Sequence, residues 1–256
     1  MLTGLSAGSI PGASAADLAR GPVYQAPIYN WQGFYVGGNV GYAWGSSDVT
    51  TIATGLGTYF EPTSLPVVNT SGIGTINPSG FAGGAQAGFN WQISSLILGF
   101  ELDFNAFSTT DSRSVSAAYP CCPPFTFTIF QKVSTNWLFT ARPRVGYAMN
   151  NWLLYATGGL AVTKLNYTNT FTDTIGATES GSVSKTQAGW TIGGGVEVAW
   201  TSNWTAKAEY LFADFGSVSS TGTLLHAPSG QTAPFAHTAD FEAHIVRVGI
   251  NYRFGG

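Results

Sequence analysis

Charge, cysteine and long apolar runs are all scarce in this sequence. Asp, Glu, Lys and Arg make up 9% of the 256 residues, whereas an average soluble domain has about 25%. So few charges would leave a soluble surface poorly protected, which argues against an ordinary soluble protein. No run of about 18 apolar residues is present, which excludes a transmembrane helix. The formal net charge of −3 argues against a nucleic acid as partner.

The cysteine content excludes two common kinds of site. The two cysteines, Cys121 and Cys122, are adjacent in the chain. Adjacent residues provide neither a disulfide framework nor a CxxC metal site. In an oxidising compartment such a pair closes into a ring or stays reduced, and the sequence leaves both states open. We predict no cofactor and no metal site.

Aromatic residues and glycine are abundant, and they occur in segments that alternate apolar with polar or small residues. Aromatics reach 14%, and there are 33 glycines. A two-residue period is typical of β-strands that are apolar on one face. Eight strands are predicted, over 33–44, 80–92, 96–105, 137–147, 152–162, 190–200, 204–212 and 246–254. Pro143 would remove one ladder hydrogen bond from the fourth strand, so we expect a β-bulge there.

The connections between these strands alternate in length. Those after the second, fourth and sixth strands are about three residues long, over 93–95, 149–151 and 201–203. The other four are long and rich in Ser, Thr, Gly and Pro. Bacterial outer-membrane barrels combine short periplasmic turns with long extracellular loops. The pattern predicts an all-β fold: an eight-stranded antiparallel transmembrane β-barrel over 31–254, with four long extracellular loops and both termini periplasmic.

Alternation alone does not decide which face of a barrel points outward. A soluble eight-stranded lipocalin-like barrel has the same period with its apolar face inside. The polar face here has about one charge per strand and many small residues, which suits a narrow interior. Tryptophans lie at the strand ends, as expected at the two membrane interfaces. The predicted membrane-interface girdle comprises Trp31, Trp91, Trp152, Trp200 and Trp204 at the periplasmic level and Trp44, Trp137 and Trp190 at the other.

The inner face is then predicted to hold charges of both signs. They are Glu101, Asp103, Arg142, Arg144, Glu197, Lys207, Glu209 and Arg247, with Arg253 as a ninth candidate. An unpaired buried charge is strongly destabilising, so these groups are expected to pair in a network that plugs the barrel. The alternative is a proton- or ion-conducting path along the same residues, although eight strands leave little open bore.

The N-terminal part of the chain differs in composition from the predicted strands. Residues 1–16 end in Ala13-Ser14-Ala15-Ala16, which resembles a signal-peptidase site. No Lys or Arg precedes Arg20, so we interpret 1–16 as a signal peptide that lacks its basic front. The alternative is a disordered tail of small residues. Residues 17–30 then form a periplasmic leader.

Several of these segments resemble a known family. They are Ala15–Leu18 (AADL), Trp31–Tyr42 (WQGFYVGGNVGY), Gly88–Gln92 (GFNWQ), Tyr155–Ala161 (YATGGLA), Lys207–Leu211 (KAEYL) and Val246–Phe254 (VRVGINYRF). Together they resemble the alphaproteobacterial outer-membrane immunogenic proteins, which are small porin-family barrels. The resemblance implies an eight-stranded, OmpA-like barrel in the outer membrane, exposed at the surface and antigenic. Some relatives are described as porins and some as haemin-binding.

No residue pattern points to an enzyme. His226 and His237 fall in the fourth predicted loop, and His244 lies on the lipid-facing side of the last strand. None stands in a motif that pairs a base with a nucleophile. The predicted loops also contain the aromatics Tyr59, Phe60, Phe125, Phe127 and Phe130. These either extend the hairpins above the membrane or form an adhesive or phage-contact surface.

The sequence therefore favours a non-enzymatic outer-membrane barrel with an envelope-structural or surface-interaction role. A narrow porin for small solutes is the first alternative. Haem or host-surface binding through the loops, with His226 and His237 as candidate ligands, is the second. The expected partners are outer-membrane lipid, lipopolysaccharide and the barrel-insertion machinery, besides any unidentified extracellular ligand.

Overall fold

The fold is a single antiparallel sheet that closes on itself. The structure, a computed structural model, describes residues 29–55 and 59–254. The elements in chain order are β1 (Gly33–Ala53), α1 (Leu65–Ser71), β2 (Ile73–Ile76), β3 (Ser79–Ile93), β4 (Leu96–Ala118), β5 (Thr126–Met149), β6 (Trp152–Asp173), β7 (Ala177–Ala199), β8 (Trp204–His226) and β9 (Gln231–Arg253). Consecutive long strands pair with one another, and β1 also pairs with β9. The eight long strands therefore form a closed barrel.

The described residues contain nine strands rather than the eight predicted. The extra strand, β2, is four residues long and lies inside the first predicted loop. It pairs only with Ser47–Thr50 of β1, so it is not part of the closed ring. The seven-residue helix α1 precedes it, and no helix in the described ranges is long and apolar enough to cross a membrane.

The strands run far beyond their predicted ends on one side of the barrel. Three of the four predicted long loops shrink to residues 119–125, 174–176 and 227–230, and only 54–78 remains long. We call this side the hairpin end. The opposite side, the turn end, has tight turns at 94–95, 150–151 and 200–203, where Ser94 and Asn150 adopt positive φ angles of 57° and 54°. Left-handed backbone of this kind is what short hairpin turns require.

The bulge expected at Pro143 is not present there. Pro143 lies opposite Phe100 in unbroken register with β4, and the β5–β6 register has the same offset on both sides of it. The Thr157 hydroxyl donates to the Pro143 carbonyl at 2.9 Å, which compensates locally for the interrupted ladder. The bulge in β5 lies between Thr135 and Leu138 instead.

The polarity of the two faces inverts along the strands that continue past the apolar row, as β6 shows. Near the turn end its outward side chains are apolar, ending with Leu160 and Val162, and its inward ones are Tyr155 and Thr157. Beyond Val162 the outward row becomes polar, over residues 164–172, whereas the inward row becomes mainly apolar, with Leu165, Tyr167 and Phe171. We call the first part of the barrel the apolar band and the second part the extension.

The extension has a hydrophobic core of its own. Its inward side chains form two buried clusters, one around Phe107, Phe215 and Phe241 and one around Phe127 and Phe171. Phe60 and Val68, from the segment that contains α1, pack into the second cluster. Phe60 and Phe127, which the sequence placed in loops, are therefore core residues.

Candidate functional site

A layer of buried charges crosses the interior of the apolar band. Alternation along β4, β5, β7, β8 and β9 directs all eight predicted charges inward, and each residue is at most 4% exposed. The layer comprises the acids Glu101, Asp103, Glu197 and Glu209 and the bases Arg142, Arg144, Lys207 and Arg247. Four negative and four positive groups cancel in formal charge. We call this set the charged layer.

Arg142 is the centre of the charged layer. Its Nη2 atom lies 2.7 Å from Glu101 Oε1 and 2.8 Å from Asp103 Oδ2 on the neighbouring strand. Its Nη1 atom lies 3.3 Å from Glu209 Oε1, which comes from the opposite wall. The Nε–H group donates to Thr140 Oγ1 at 2.9 Å. One guanidinium thus connects β4, β5 and β8 through the middle of the barrel.

Two further cations, on β8 and β9, bind carboxylates on β4. Arg247 on β9 lies 2.6 Å from Glu209 Oε2 and donates to both Asp103 oxygens at 3.1 Å. Lys207 on β8 places Nζ 2.8 and 2.9 Å from the two oxygens of Glu101. Hydrogen bonds to charged groups are shorter and stronger than neutral ones. The layer therefore ties β4 and β5 to β8 and β9 across the interior.

Arg144 lies between two tyrosine rings on the turn side of the layer. Its guanidinium carbon is 5.1 Å from the centre of the Tyr35 ring and 4.9 Å from that of Tyr155, within the range of cation–π attraction. Its Nη2 atom lies 3.2 Å from Glu197 Oε2. The tyrosine hydroxyls donate to Glu101 at 2.8 Å and to Glu209 at 3.0 Å.

The two tyrosines are site residues that sequence reasoning did not identify. A Cβ at Gly88 would lie 2.3 Å from the Tyr35 hydroxyl, and one at Gly195 would lie 2.7 Å from the Tyr155 hydroxyl. Glycine is therefore required beside each ring. The available signal was a tyrosine at an inward position of a strand facing glycines on its neighbours.

Neutral side chains form hydrogen bonds with the charged layer and with one another. Asn251 donates to Glu197 Oε1 at 2.9 Å and accepts from Gln86 at 2.6 Å. Asn39 donates to Gln86 Oε1 at 3.0 Å, and Asn90 accepts from Arg144 at 3.0 Å. Neutral hydrogen-bonding side chains therefore surround the charges. Buried ion pairs are tolerated when such additional hydrogen bonds are present.

The assignment of Trp31 to the girdle is wrong. Trp31 is 1% exposed and lies inside the turn end, where it packs with Ile97, Leu153 and Tyr155. It precedes β1, so strand alternation does not set its direction. Arg253 is also outside the charged layer: it donates to the carbonyls of Gln32 and Ser202, both at 2.8 Å.

The other seven tryptophans point outward. Six have exposures between 41% and 54%, and they are Trp44, Trp91, Trp152, Trp190, Trp200 and Trp204. Trp137 is half-buried because its ring stacks on Phe104 at a centroid distance of 5.9 Å. His244 faces outward, as predicted, and stacks on Trp44 at 5.6 Å.

The two loop histidines of the haem hypothesis lie in strands of the extension and have partners. His237 is buried on β9, with Nε2 3.3 Å from Glu179 Oε1 and Nδ1 3.2 Å from Thr51 Oγ1. His226 ends β8, with Nδ1 2.6 Å from Ser229 Oγ and Nε2 3.2 Å from the Ile175 carbonyl. Within the described residues, no group of three or more His, Cys, Asp or Glu side chains is arranged to hold a metal ion.

The tip of the hairpin end is held by a carboxylate and two tyrosines. Tyr59 and Tyr119 both donate to Asp173 Oδ2, and Asp173 Oδ1 accepts from the backbone N–H groups of residues 175–177. Burial, together with the negative charge of Asp173, raises the pKa of both tyrosines above the usual value of 10. Cys121 and Cys122 form a disulfide in the β4–β5 connection.

Comparison with known proteins identifies the family. Residues 5–254 match the model of the outer membrane protein beta-barrel domain. The chain belongs to this family. It is 35% identical to the 31 kDa outer-membrane immunogenic protein of Brucella melitensis over 238 residues, which cover 90% of this chain and 87% of that protein. It is 30% identical to the 22 kDa outer membrane protein of Rhizobium leguminosarum bv. viciae, over 75% of this chain and 67% of that protein.

Likeness to solved structures is weaker. The outer membrane protease OmpT of Escherichia coli aligns over 87% of this chain and 97% of its own, with a TM-score of 0.44 and 9% identity. At that level the likeness carries no functional information. The family and its relatives establish that the chain is an outer-membrane β-barrel protein, as the sequence resemblance implied.

Proposed function

We propose that this protein is a non-enzymatic outer-membrane barrel whose interior is sealed by the charged layer, and that it has an envelope-structural or surface-interaction role. The observation that carries the proposal is the burial of all eight charges, none more than 4% exposed, in a set that cancels in sign. A continuous water-filled bore at this height would wet the side chains that line it. The layer instead fills the section of the barrel that it crosses.

The energetics favour a permanent seal over a conducting path. An ion that passed the layer would have to separate pairs such as Arg142–Glu101 and Arg247–Glu209, at 2.7 and 2.6 Å. Removing one partner of a buried ion pair destabilises a protein by about 3–5 kcal/mol. Several such pairs would have to open together, because each of these arginines contacts more than one carboxylate.

We propose the following placement in the outer membrane. The outward apolar row of β6 runs over residues 152–162. At about 3.3 Å per residue and a tilt of about 40° it spans roughly 25 Å, which matches the apolar height of outer-membrane barrels. The tight turns then face the periplasm with both termini, and the extension is extracellular. The seven outward tryptophans form the interface girdles.

We also propose a signal peptide over 1–16 and a periplasmic leader over 17–30. The signal peptide (1–16) and all but the last two residues of the leader (17–30) lie outside the described residues. With 31–254 as the barrel, the insertion machinery of the outer membrane is the expected partner in assembly.

Lysine labelling of intact cells tests the placement. The chain has four lysines; Lys132, Lys164 and Lys185 are exposed in the extension, and Lys207 is buried in the charged layer. A membrane-impermeant amine reagent, read out by peptide mass spectrometry, should modify the first three and spare Lys207. Labelling of the three only after cell lysis would contradict an extracellular extension.

An electrophoretic shift tests the barrel itself. The purified protein should migrate faster on SDS gels when unheated than when boiled, because closed barrels resist SDS at room temperature. Absence of the shift, together with recovery in the soluble fraction, would refute the proposed membrane barrel.

A further inference from the structure

The exposed positive charge of the described chain is confined to one side of the extension. Of the lysines and arginines in residues 29–55 and 59–254, only Lys132, Lys164 and Lys185 are exposed. They lie on the consecutive strands β5, β6 and β7. None forms an ion pair with a carboxylate of the described residues. Lys132 and Lys164 occupy outward positions of β5 and β6, and we call these two residues the lysine patch. Lys185 stands between the outward Ser184 and Thr186 and pairs with the buried Leu165, so it lies on the inward face of β7 and is not part of the patch.

The lysine patch begins where the apolar band ends. On β6, Lys164 is the first outward residue after Val162, the last apolar one in that row. On β5, Lys132 is opposite Thr168. Thr168 is four residues beyond Lys164, so the patch extends about 13 Å along the strands. In a membrane, this is the height of the lipid headgroups.

The other side of the barrel has the opposite charge at the same boundary. Asp48 on β1, Asp214 on β8, and Asp240 and Glu242 on β9 face outward or partly outward there. Asp214 and Glu242 are direct cross-strand neighbours, and no described lysine or arginine pairs with them. We call this side the acidic wall. Anionic groups are attracted to the lysine patch and repelled by the acidic wall.

The surface around the lysine patch is rich in hydroxyl groups. The outward rows are Thr168, Thr170 and Thr172 on β6 and Ser180, Ser182, Ser184 and Thr186 on β7. The β5, β6 and β7 strands are paired throughout this region, so the rows stand on a continuous sheet. Lysine binds phosphate as a point charge, and hydroxyls both donate to and accept from sugar hydroxyls.

We propose that the lysine patch and the hydroxyl rows bind the phosphorylated sugar headgroup of a glycolipid in the outer leaflet, with the lysines on its phosphates. The inference rests on the proposed placement, which puts the extension outside and the patch at headgroup height. Two phosphates on one disaccharide headgroup match a patch with its lysines spread along the strands. The barrel would then hold glycolipid on its β5–β7 side and not on the acidic wall.

Binding of purified lipid A to the refolded full-length chain in detergent tests the inference. The probes are bisphosphorylated lipid A, the same lipid A after enzymatic dephosphorylation, and phosphatidylglycerol. The variant K132Q/K164Q removes both charges of the patch and keeps most of each side-chain stem. The matched control D240N/E242Q removes charge from the acidic wall. Heat-modifiability on SDS gels verifies that every variant is folded.

For the native chain we expect binding of bisphosphorylated lipid A that weakens with salt, because exposed charges are screened. The dissociation constant should rise at least tenfold in the double lysine variant and should not rise in the control. Dephosphorylated lipid A and phosphatidylglycerol should bind at least tenfold more weakly than bisphosphorylated lipid A. Inorganic phosphate at millimolar concentration should not displace the lipid.

Three results would overturn the inference. Equal lipid A affinity of the native chain and a heat-modifiable double lysine variant would refute binding by the lysine patch and leave the proposed barrel intact. Equal loss of phosphatidylglycerol and lipid A binding would show a general anionic-lipid surface without sugar recognition. Displacement by inorganic phosphate would show a free-phosphate site. Loss of the heat shift in the native chain would instead count against the proposed function.

Discussion

Replacing Arg142 by glutamine should destabilise the barrel strongly. The side chain is fully buried and contacts Glu101, Asp103 and Glu209 at 2.7, 2.8 and 3.3 Å. Removing one partner of a buried ion pair costs about 3–5 kcal/mol. Glu101 keeps Lys207, and Asp103 keeps Arg247, so we expect R142Q to lower the free energy of unfolding by an amount near the lower end of that range.

A double-mutant cycle separates the ion pair from general disruption. E101Q alone should also be destabilising, because it leaves Arg142 and Lys207 short of a carboxylate. The double variant R142Q/E101Q removes one charge of each sign, so its loss should be smaller than the sum of the two single losses by about 1–3 kcal/mol, as is usual for residues in direct contact. The assay is equilibrium urea unfolding in lipid vesicles, followed by tryptophan fluorescence in both directions.

The matched control is K164Q, which removes an exposed lysine without an ion pair. Such surface substitutions change stability by at most about 0.5 kcal/mol. The reasoning would be refuted if R142Q cost less than about 1 kcal/mol, or if the two single losses simply added in the double variant.

Three other perturbations test separate parts of the structure. W31A should lower the free energy of unfolding by about 3–5 kcal/mol, because it leaves a cavity at a buried site. W204A, at an exposed position of the girdle, should lower it clearly less. Equal urea midpoints for the two variants would contradict the interior position of Trp31. G41A places a Cβ 2.2 Å from the Val246 carbonyl oxygen, whereas the Cβ of G38A is 3.6 Å from its nearest atom. We therefore expect G41A to lower the free energy of unfolding by about 1–3 kcal/mol and G38A to change it little. Heat-shift gels over a temperature series measure this, and a barrel that opens at a lower temperature in G38A than in G41A would contradict the prediction. The pKa of Tyr119 is raised in the folded state. Its contribution to stability is therefore complete below pH 10, the ordinary tyrosine pKa, and is lost as the pH rises through the higher folded value. Absorbance titration near 295 nm should show that Tyr119 ionises above pH 10, and ionisation at the ordinary value would contradict its burial.

The apolar band could be predicted from the sequence because one physical constraint acts on every strand. Charged residues on a lipid-exposed face are strongly destabilising, so alternation and the direction of each charge are set together. Residues such as Arg142, Lys207 and Glu209 therefore lie inside the barrel, as predicted. The pairing of particular charges across the interior was not predictable, because it depends on the stagger of strands that are distant in sequence.

The extension was missed because its pattern has the opposite sense. There the outward row is rich in Ser and Thr, the inward row is mainly apolar, and long stretches such as 178–188 on β7 alternate weakly. Composition rich in Ser, Thr and Gly indicates loops when sequence is considered alone. Bulges and gaps in register, such as that between Thr135 and Leu138, also shift the alternation by one residue and hide its continuity.

The position of Trp31 shows a different limit. Sequence reasoning placed every tryptophan near a strand end at a membrane interface. Trp31 precedes β1, and its direction is set by tertiary contacts with Tyr29 and Leu153 rather than by the period of a strand. A residue just outside a regular element has no alternation from which its burial can be predicted.

Single-channel recording in planar bilayers tests the sealed interior most directly. The refolded full-length chain is used, with insertion verified by the heat shift of the same preparation. The charged layer predicts no discrete conductance steps at moderate voltage. Stable ohmic steps from heat-modifiable protein would contradict a sealed barrel, and would make the protein a narrow porin in which Glu101, Arg142 and their partners line the conducting path.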